Sequence, residues 1–162
     1  MSAIDDLVTA NAAYAANFPG ARPAPPRRSV AVVTCMDARI DLFAALGLDL
    51  GDAHVLRNAG GRITADMLRS LAISQRALGT REVMLVHHTG CGLTDFDDAA
   101  FRAGLAAESG QTPTWDVPGF TDPAEGARDA AAEVRDCPWL PHRGEVRAFV
   151  FDVASGTLDE VG

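Results

Sequence analysis

Cysteine is scarce in this 162-residue sequence, and the three present, Cys35, Cys91 and Cys137, are an odd number. That argues against a disulfide scaffold and fits a reducing compartment where thiols stay free for metal. Positive charge is also in deficit, with a net charge of −8. A chain of that sign is not built to hold nucleic acid or an anionic membrane surface, although a local arginine can still oppose it. No apolar run approaches the roughly 20 residues that span a bilayer. Met1 to Asp6 has neither the basic region nor the apolar core of a signal peptide. Together these absences predict a cytoplasmic protein with no membrane partner. There is no internal repeat, and the one biased tract is the short linker Arg22-Pro23-Ala24-Pro25-Pro26. Finally, no Gly-x-Gly-x-x-Gly follows the first apolar strand. Cys35-Met36-Asp37 stands where glycines would cradle phosphate, which disfavours a dinucleotide-binding domain.

What is there suffices for one domain: the length is right, and 48% hydrophobic residues can build a core. Residues 2–18 are alanine-rich, with Ile4, Leu7, Val8, Ala12 and Ala15 near helical spacing. Ser2 suits an N-cap, Asp5 and Asp6 suit a first turn, and Phe18-Pro19-Gly20 ends the helix. Ser29–Thr34 is short, β-branched and apolar throughout, the pattern of a strand buried on both faces in a parallel sheet. Ala53–Leu56, Glu82–Val86 and Val146–Val153 read as further strands. Helices are predicted over Ile40–Leu46, closed by Gly47, and over Ala65–Leu78, capped by Thr64 and followed by Gly79. Two more cover Asp97–Ala107 and the stretch from Asp122 or Pro123 to Arg135. Ser155-Gly156 turns the chain into Thr157–Val161, an antiparallel edge hairpin. Strands alternating with helices give an α/β fold: a mostly parallel central sheet with an antiparallel edge strand, flanked by helices.

Two of these strands end in chemistry. Val32-Val33-Thr34-Cys35-Met36-Asp37-Ala38-Arg39 and Leu85-Val86-His87-His88-Thr89-Gly90-Cys91-Gly92 each pass from apolar residues into metal-binding or charged ones. Cys35 with His88-x-x-Cys91 forms a Cys2His set that suits Zn2+ and leaves one tetrahedral position open, the pattern of a catalytic site. His87 and His88 are successive strand residues and point in different directions. Arg39 offers a planar fork to the Asp37 carboxylate. Asp41 is more simply a helix N-terminal charge. Cys137, among Pro138, Trp139 and Leu140, reads as structural, and His54 and His142 have no partners in sequence.

Cys35-x-Asp37-x-Arg39, followed by His88-x-x-Cys91, resembles the β-class carbonic anhydrases. So do the intervening Arg57-Asn58-Ala59-Gly60-Gly61 and Ser70-Leu71-x-Ile73-Ser74. The resemblance is close over residues 28–95. It implies a sheet order of 2-1-3-4 and a single domain over 1–162, with residues 1–27 as an N-terminal helical arm and linker reaching over a partner subunit. The implied assembly is a homodimer or a dimer of dimers. Cys35, His88 and Cys91 are the implied zinc ligands, with His88 chosen over His87 by its spacing to Cys91. Asp37, held by Arg39, is either a conditional fourth ligand or the acceptor of a hydrogen bond from zinc-bound hydroxide. Asn58, Gly60 and Gly61 are implied near the substrate. The implied reaction is zinc-dependent, reversible hydration of carbon dioxide to bicarbonate and a proton, by a carbonate dehydratase. Hydrolysis of carbonyl sulfide or carbon disulfide on the same site is the alternative. A non-catalytic zinc protein of this fold is a third reading, against which Asp37 and Arg39 argue. The chain departs from many relatives at Gly90, where they carry Asp.

Overall fold

The computed structural model describes residues 2–162. Five strands form one sheet: β1 (Val30–Cys35), β2 (Ala53–Asn58), β3 (Glu82–His88), β4 (Val146–Phe151) and β5 (Leu158–Glu160). Their order is β2-β1-β3-β4-β5, parallel for the first four, with β5 antiparallel at the edge. The order and the antiparallel edge agree with expectation. The continuous apolar runs of β1 and β3 suit the middle of the sheet, where helices and loops cover both faces of a strand.

Alternate residues of the central strands feed opposite layers. Ala31, Val33, Val83 and Leu85 pack with Leu71 of one helix and Ala127, Ala130 and Val134 of another. Val32 and Val86 pack on the other side with Ile40, Leu42 and Phe151, and Cys35 and Cys91 join them there. The helices among the described residues are α1 (Ala3–Ala16), α2 (Leu42–Leu46), α3 (Ala65–Arg76), α4 (Asp98–Ser109) and α5 (Pro123–Asp136), with a 3-10 turn at Ala59–Gly61; α2 to α5 flank the sheet.

The boundaries that differ from expectation have local causes. Asp41 accepts a hydrogen bond from the Ala44 N–H, so α2 starts at Leu42, not Ile40. The strands β2 and β3 run on to Asn58 and His88 because β1 and β4 continue to pair with them. Strand β4 stops at Phe151 because Asp152 accepts from the N–H groups of Ala154 and Ser155 and turns the chain. Ser2 and Asp5 cap α1 reciprocally. Yet α1 buries none of its residues against the rest of the chain, and Ile4, Leu7 and Val8 are 70%, 71% and 67% exposed. Among the described residues, no helix is long and apolar enough to cross a membrane.

Candidate metal centre

The site is a consequence of register. Thr34 of β1 lies beside Val86 of β3, so both strands reach the carboxyl edge of the sheet together, and their loops meet there. Cys35 is the last residue of β1, and His88 is the last of β3. The Thr89-Gly90 turn, with Gly90 in the left-handed region at φ 62, brings Cys91 back toward them. The ligand atoms of Cys35, His88 and Cys91 lie within 4.8 Å of one another, and all three residues are buried.

The set has the chemistry of a metal site. His88 Nδ1 lies 3.0 Å from the Thr89 carbonyl, which selects the tautomer with the proton on Nδ1 and leaves Nε2 as a free lone pair. That buried Nε2 has no hydrogen-bond partner among the described residues. A buried acceptor with nothing to accept is costly, and a cation answers it. Burial pushes the Cys35 thiol up, but the His88 ring and the backbone N–H groups of Asp37 and Gly60 outweigh it and bring the thiol down to about 7. Burial also depresses His88, but Cys35, the Thr89 carbonyl and Asp37 together outweigh it, so its value is raised. Cys91 is raised, chiefly by burial. Two sulfurs and one imidazole nitrogen, converging and partly unpaired, fit zinc.

Asp37 and Arg39 flank this cluster. Asp37 Oδ1 accepts from the Arg39 backbone N–H and from Nε, both at 2.9 Å, and Oδ2 accepts from Nη2 at 2.6 Å. The Arg39 fork holds the Asp37 carboxyl well below the usual carboxylate range. Asp37 Oδ2 is 3.8 Å from His88 Nε2. Asp37 thus faces the cluster with its side chain 18% exposed, while the Arg39 side chain that holds it is 52% exposed.

The other expected positions fall around this group. Gly60 and Gly61 are buried and carry positive φ, 70 and 64. A Cβ on Gly61 would stand 3.1 Å from the Thr34 carbonyl carbon, and one on Gly60 would stand 2.7 Å from Leu93 Cδ1. Gly61 thus allows close backbone approach to the end of β1, and Gly60 makes room for Leu93. Asn58 Nδ2 donates to the Arg62 carbonyl at 2.8 Å, while its buried Oδ1 has no partner. His87 faces away, toward α5, its ring 5.2 Å from that of Phe120. Burial pushes it down to about 4, so it is a neutral packed ring. His54 is satisfied by Ser74 at 2.7 Å, and Cys137 lies in the core.

One arginine at the site receives no role from the sequence pattern. Arg57, at the end of β2, donates to the carbonyls of Cys35 at 2.8 Å, Asp37 at 2.7 Å and Ile40 at 3.4 Å. The available signal is a charged residue closing an apolar strand whose neighbour ends in a ligand.

The carbonic anhydrase family model matches residues 30–116. Across 161 residues the chain is 45% identical to Beta-carbonic anhydrase 1 of Mycobacterium tuberculosis, covering 99% of each chain. It is 30% identical over 155 residues to a carbon disulfide hydrolase of Acidithiobacillus thiooxidans, covering 83% of this chain and 77% of that one. The solved carbonic anhydrase of Streptococcus mutans superposes with a TM-score of 0.92 at 41% identity, covering 100% of this chain and 99% of the other. Identity of that extent, laid over the same strand order, spans both strand ends that deliver the Cys35, His88 and Cys91 ligand atoms to one point, and so this chain belongs to the β-carbonic anhydrase family of carbonate dehydratases.

Proposed function

We propose that this chain catalyses the reversible hydration of carbon dioxide to bicarbonate and a proton, with zinc held by Cys35, His88 and Cys91. The observation that carries this is the convergence of those three ligand atoms beside a carboxylate that is itself held by an arginine. Bound at such a site, zinc acts as a Lewis acid that brings the pKa of water to about 7. The chain supplies the rest. Asp37 stays ionised and acts as a hydrogen-bond acceptor pointed at the reacting water. Arg39 occupies both Asp37 oxygens, which favours the acceptor role over that of fourth ligand. The Gly90 carbonyl takes a hydrogen bond from Arg39 Nη2 at 2.8 Å and so ties the two motif loops together. Asn58, Gly60 and Gly61 are assigned to the substrate approach, where the glycines keep the wall thin.

A second reading has a specific observation behind it, the similarity to carbon disulfide hydrolases. Match length favours carbon dioxide, because the anhydrase relative is covered along nearly its whole length and at higher identity. Stopped-flow carbon dioxide hydration by zinc-loaded protein, at neutral and mildly alkaline pH, tests the proposal. Turnover at both supports it, and supports Asp37 off the metal at rest. Absence of hydration with sulfide release from carbonyl sulfide or carbon disulfide replaces it with the second reading.

A second copy of the chain is the proposed partner. We assign residues 28–162 to the body and the N-terminal segment up to residue 27 to an arm; in its helix α1 the apolar side chains Ile4, Leu7 and Val8 lack cover within their own chain. A helix so exposed gains stability only by packing on something else. A homodimer, or a dimer of dimers, supplies that surface. Free thiols at Cys35, Cys91 and Cys137 favour the cytoplasm as the compartment.

A further inference from the structure

We propose that Arg57 is a positioning residue for the reaction. It holds the main chain of the Cys35–Ile40 loop so that Asp37 is presented to the site in one orientation. The inference rests on the proposed active-site role of Cys35 and Asp37.

The physical need comes first. Where β1 ends, the chain leaves the ladder, and its carbonyls lose their strand partners. A guanidinium carries five N–H donors in a rigid planar fork and is the side chain best suited to gather several carbonyls at once. Arg57 sits opposite Thr34 in the β1–β2 register, one residue before the loop begins. From there its Nε reaches the Cys35 carbonyl, Nη2 the Asp37 carbonyl and, more weakly, Nη1 the Ile40 carbonyl. The next residue of β2 contributes a fourth tie, as the Met36 N–H donates to the Asn58 carbonyl at 2.9 Å.

Asp37 is therefore gripped twice, by different arginines and at different atoms. Arg39 holds its carboxylate, and Arg57 holds its backbone carbonyl. The Arg39 fork spans only two residues of the same loop, so it travels with the loop if the loop moves. Its tie to the Gly90 carbonyl is a single bond. Arg57 is anchored on a different strand, and its contacts fix the loop to the sheet. Loss of Arg57 should leave the carboxylate paired and the ligands present, but free the platform from which the carboxylate hangs.

The test uses zinc-loaded wild type, Arg57→Ala, Asp37→Asn and the double variant, with zinc content, kcat for carbon dioxide hydration and amide hydrogen exchange measured on each. Arg57→Ala is expected to retain zinc and to lose about 10- to 100-fold in kcat, the scale on which small misplacements act. Exchange should quicken at the amides of Met36, Arg39 and Ile40, which are hydrogen-bonded within or beside the loop. Arg57→Lys, a point charge without the fork, should not restore activity. Arg57→Gln keeps a planar amide with two N–H donors and should fall between; it also serves if the alanine variant folds poorly. In the Asp37→Asn background the further loss from Arg57→Ala should nearly vanish, because a residue acting through Asp37 has nothing left to position. Equal fractional losses in both backgrounds, or a kcat within about twofold of wild type, would overturn the proposal. If wild type itself does not hydrate carbon dioxide, the proposed reaction fails separately. Exchange then decides on the loop alone, with unchanged protection counting against Arg57.

Discussion

Arg39 Nη2 lies 2.6 Å from Asp37 Oδ2 and, through the same nitrogen, 2.8 Å from the Gly90 carbonyl, so one guanidinium joins the loop after β1 to the loop after β3. A Cβ at Gly90 would meet Arg39 Nη1 at 3.8 Å, ordinary contact, but the φ of 62 would strain any side chain there. Breaking this link should loosen the Asp37 carboxylate from its place beside the Cys35, His88 and Cys91 ligand atoms. Arg39→Ala should retain zinc and lose about 10²-fold in kcat, as Asp37→Asn should, since the one removes what holds the preorganised acceptor and the other removes the acceptor itself. Arg39→Lys should recover little, because an ammonium cannot span both carboxylate oxygens. Stopped-flow kinetics beside metal analysis checks this, and near-wild-type turnover in Asp37→Asn would remove Asp37 from its assigned role.

Ligand removal should act on stability as well as activity. Cys35→Ser and His88→Ala each take away one of three converging donors. Both should drop bound zinc to a small fraction of wild type. Chelation of wild type should lower its Tm, because a ligand present at about 1,000 times its Kd stabilises the folded state by about 4 kcal/mol. Calorimetry before and after chelation, with zinc added back, measures the effect. A Tm indifferent to zinc would mean that the cluster does not bind it in the folded protein.

Gly126, inside α5, makes room for His87. An added Cβ would stand 3.0 Å from His87 Nδ1 and 3.0 Å from Phe120 Cγ. Alanine gains about 1 kcal/mol in helix propensity over glycine. Overpacking of a rigid neighbourhood costs about 1–3 kcal/mol. The collision wins, so Gly126→Ala should be less stable by about 1 kcal/mol in urea unfolding. A more stable Gly126→Ala would show that the His87 ring moves aside freely.

Asp52 predicts part of the acid limb of stability. It is fully buried and accepts from the Asp49 N–H and from the side chains of Arg27 and Arg28. Foremost through the Asp49 N–H, these partners hold its carboxyl below the ordinary value of 3.8. A depressed folded pKa stabilises above the unfolded value and loses that contribution as pH falls through the folded value. Its share of stability should therefore be complete at pH 5 and above, and should fade as pH drops below about 4. Thermal melts of wild type and Asp52→Asn from pH 6 to pH 2.5 test this, with the gap in Tm expected to narrow at the acid end. A constant gap would place the contribution of Asp52 in something other than its charge.

Much of this molecule is legible before folding because short segments carry their own physics. Short apolar runs rich in β-branched residues, such as Val30–Thr34, state that a strand is buried on both faces, and Ser2, Thr64 and Asp122 announce helix starts by offering an oxygen to unpaired N–H groups. The candidate ligands Cys35, His88 and Cys91 were visible because soft donors at strand ends have little else to do. Element ends were less legible. Whether β2 stops at Leu56 or runs to Asn58 depends on a neighbour that continues to pair, and a neighbour is not a local property.

The sequence by itself therefore determined which residues are apolar, which carry chemistry and where the chain turns, since periodicity, capping and donor type are set within a few residues. Only the tertiary structure decided that Cys35 and His88 share one edge of the sheet, that His87 turns to α5 while His88 turns to the sulfurs, and that Arg57 gathers three carbonyls of the loop beyond its neighbouring strand. The physical reason is that these relationships depend on the register between strands distant in sequence. Register comes from burying both faces of the sheet at once, a condition that no single segment contains.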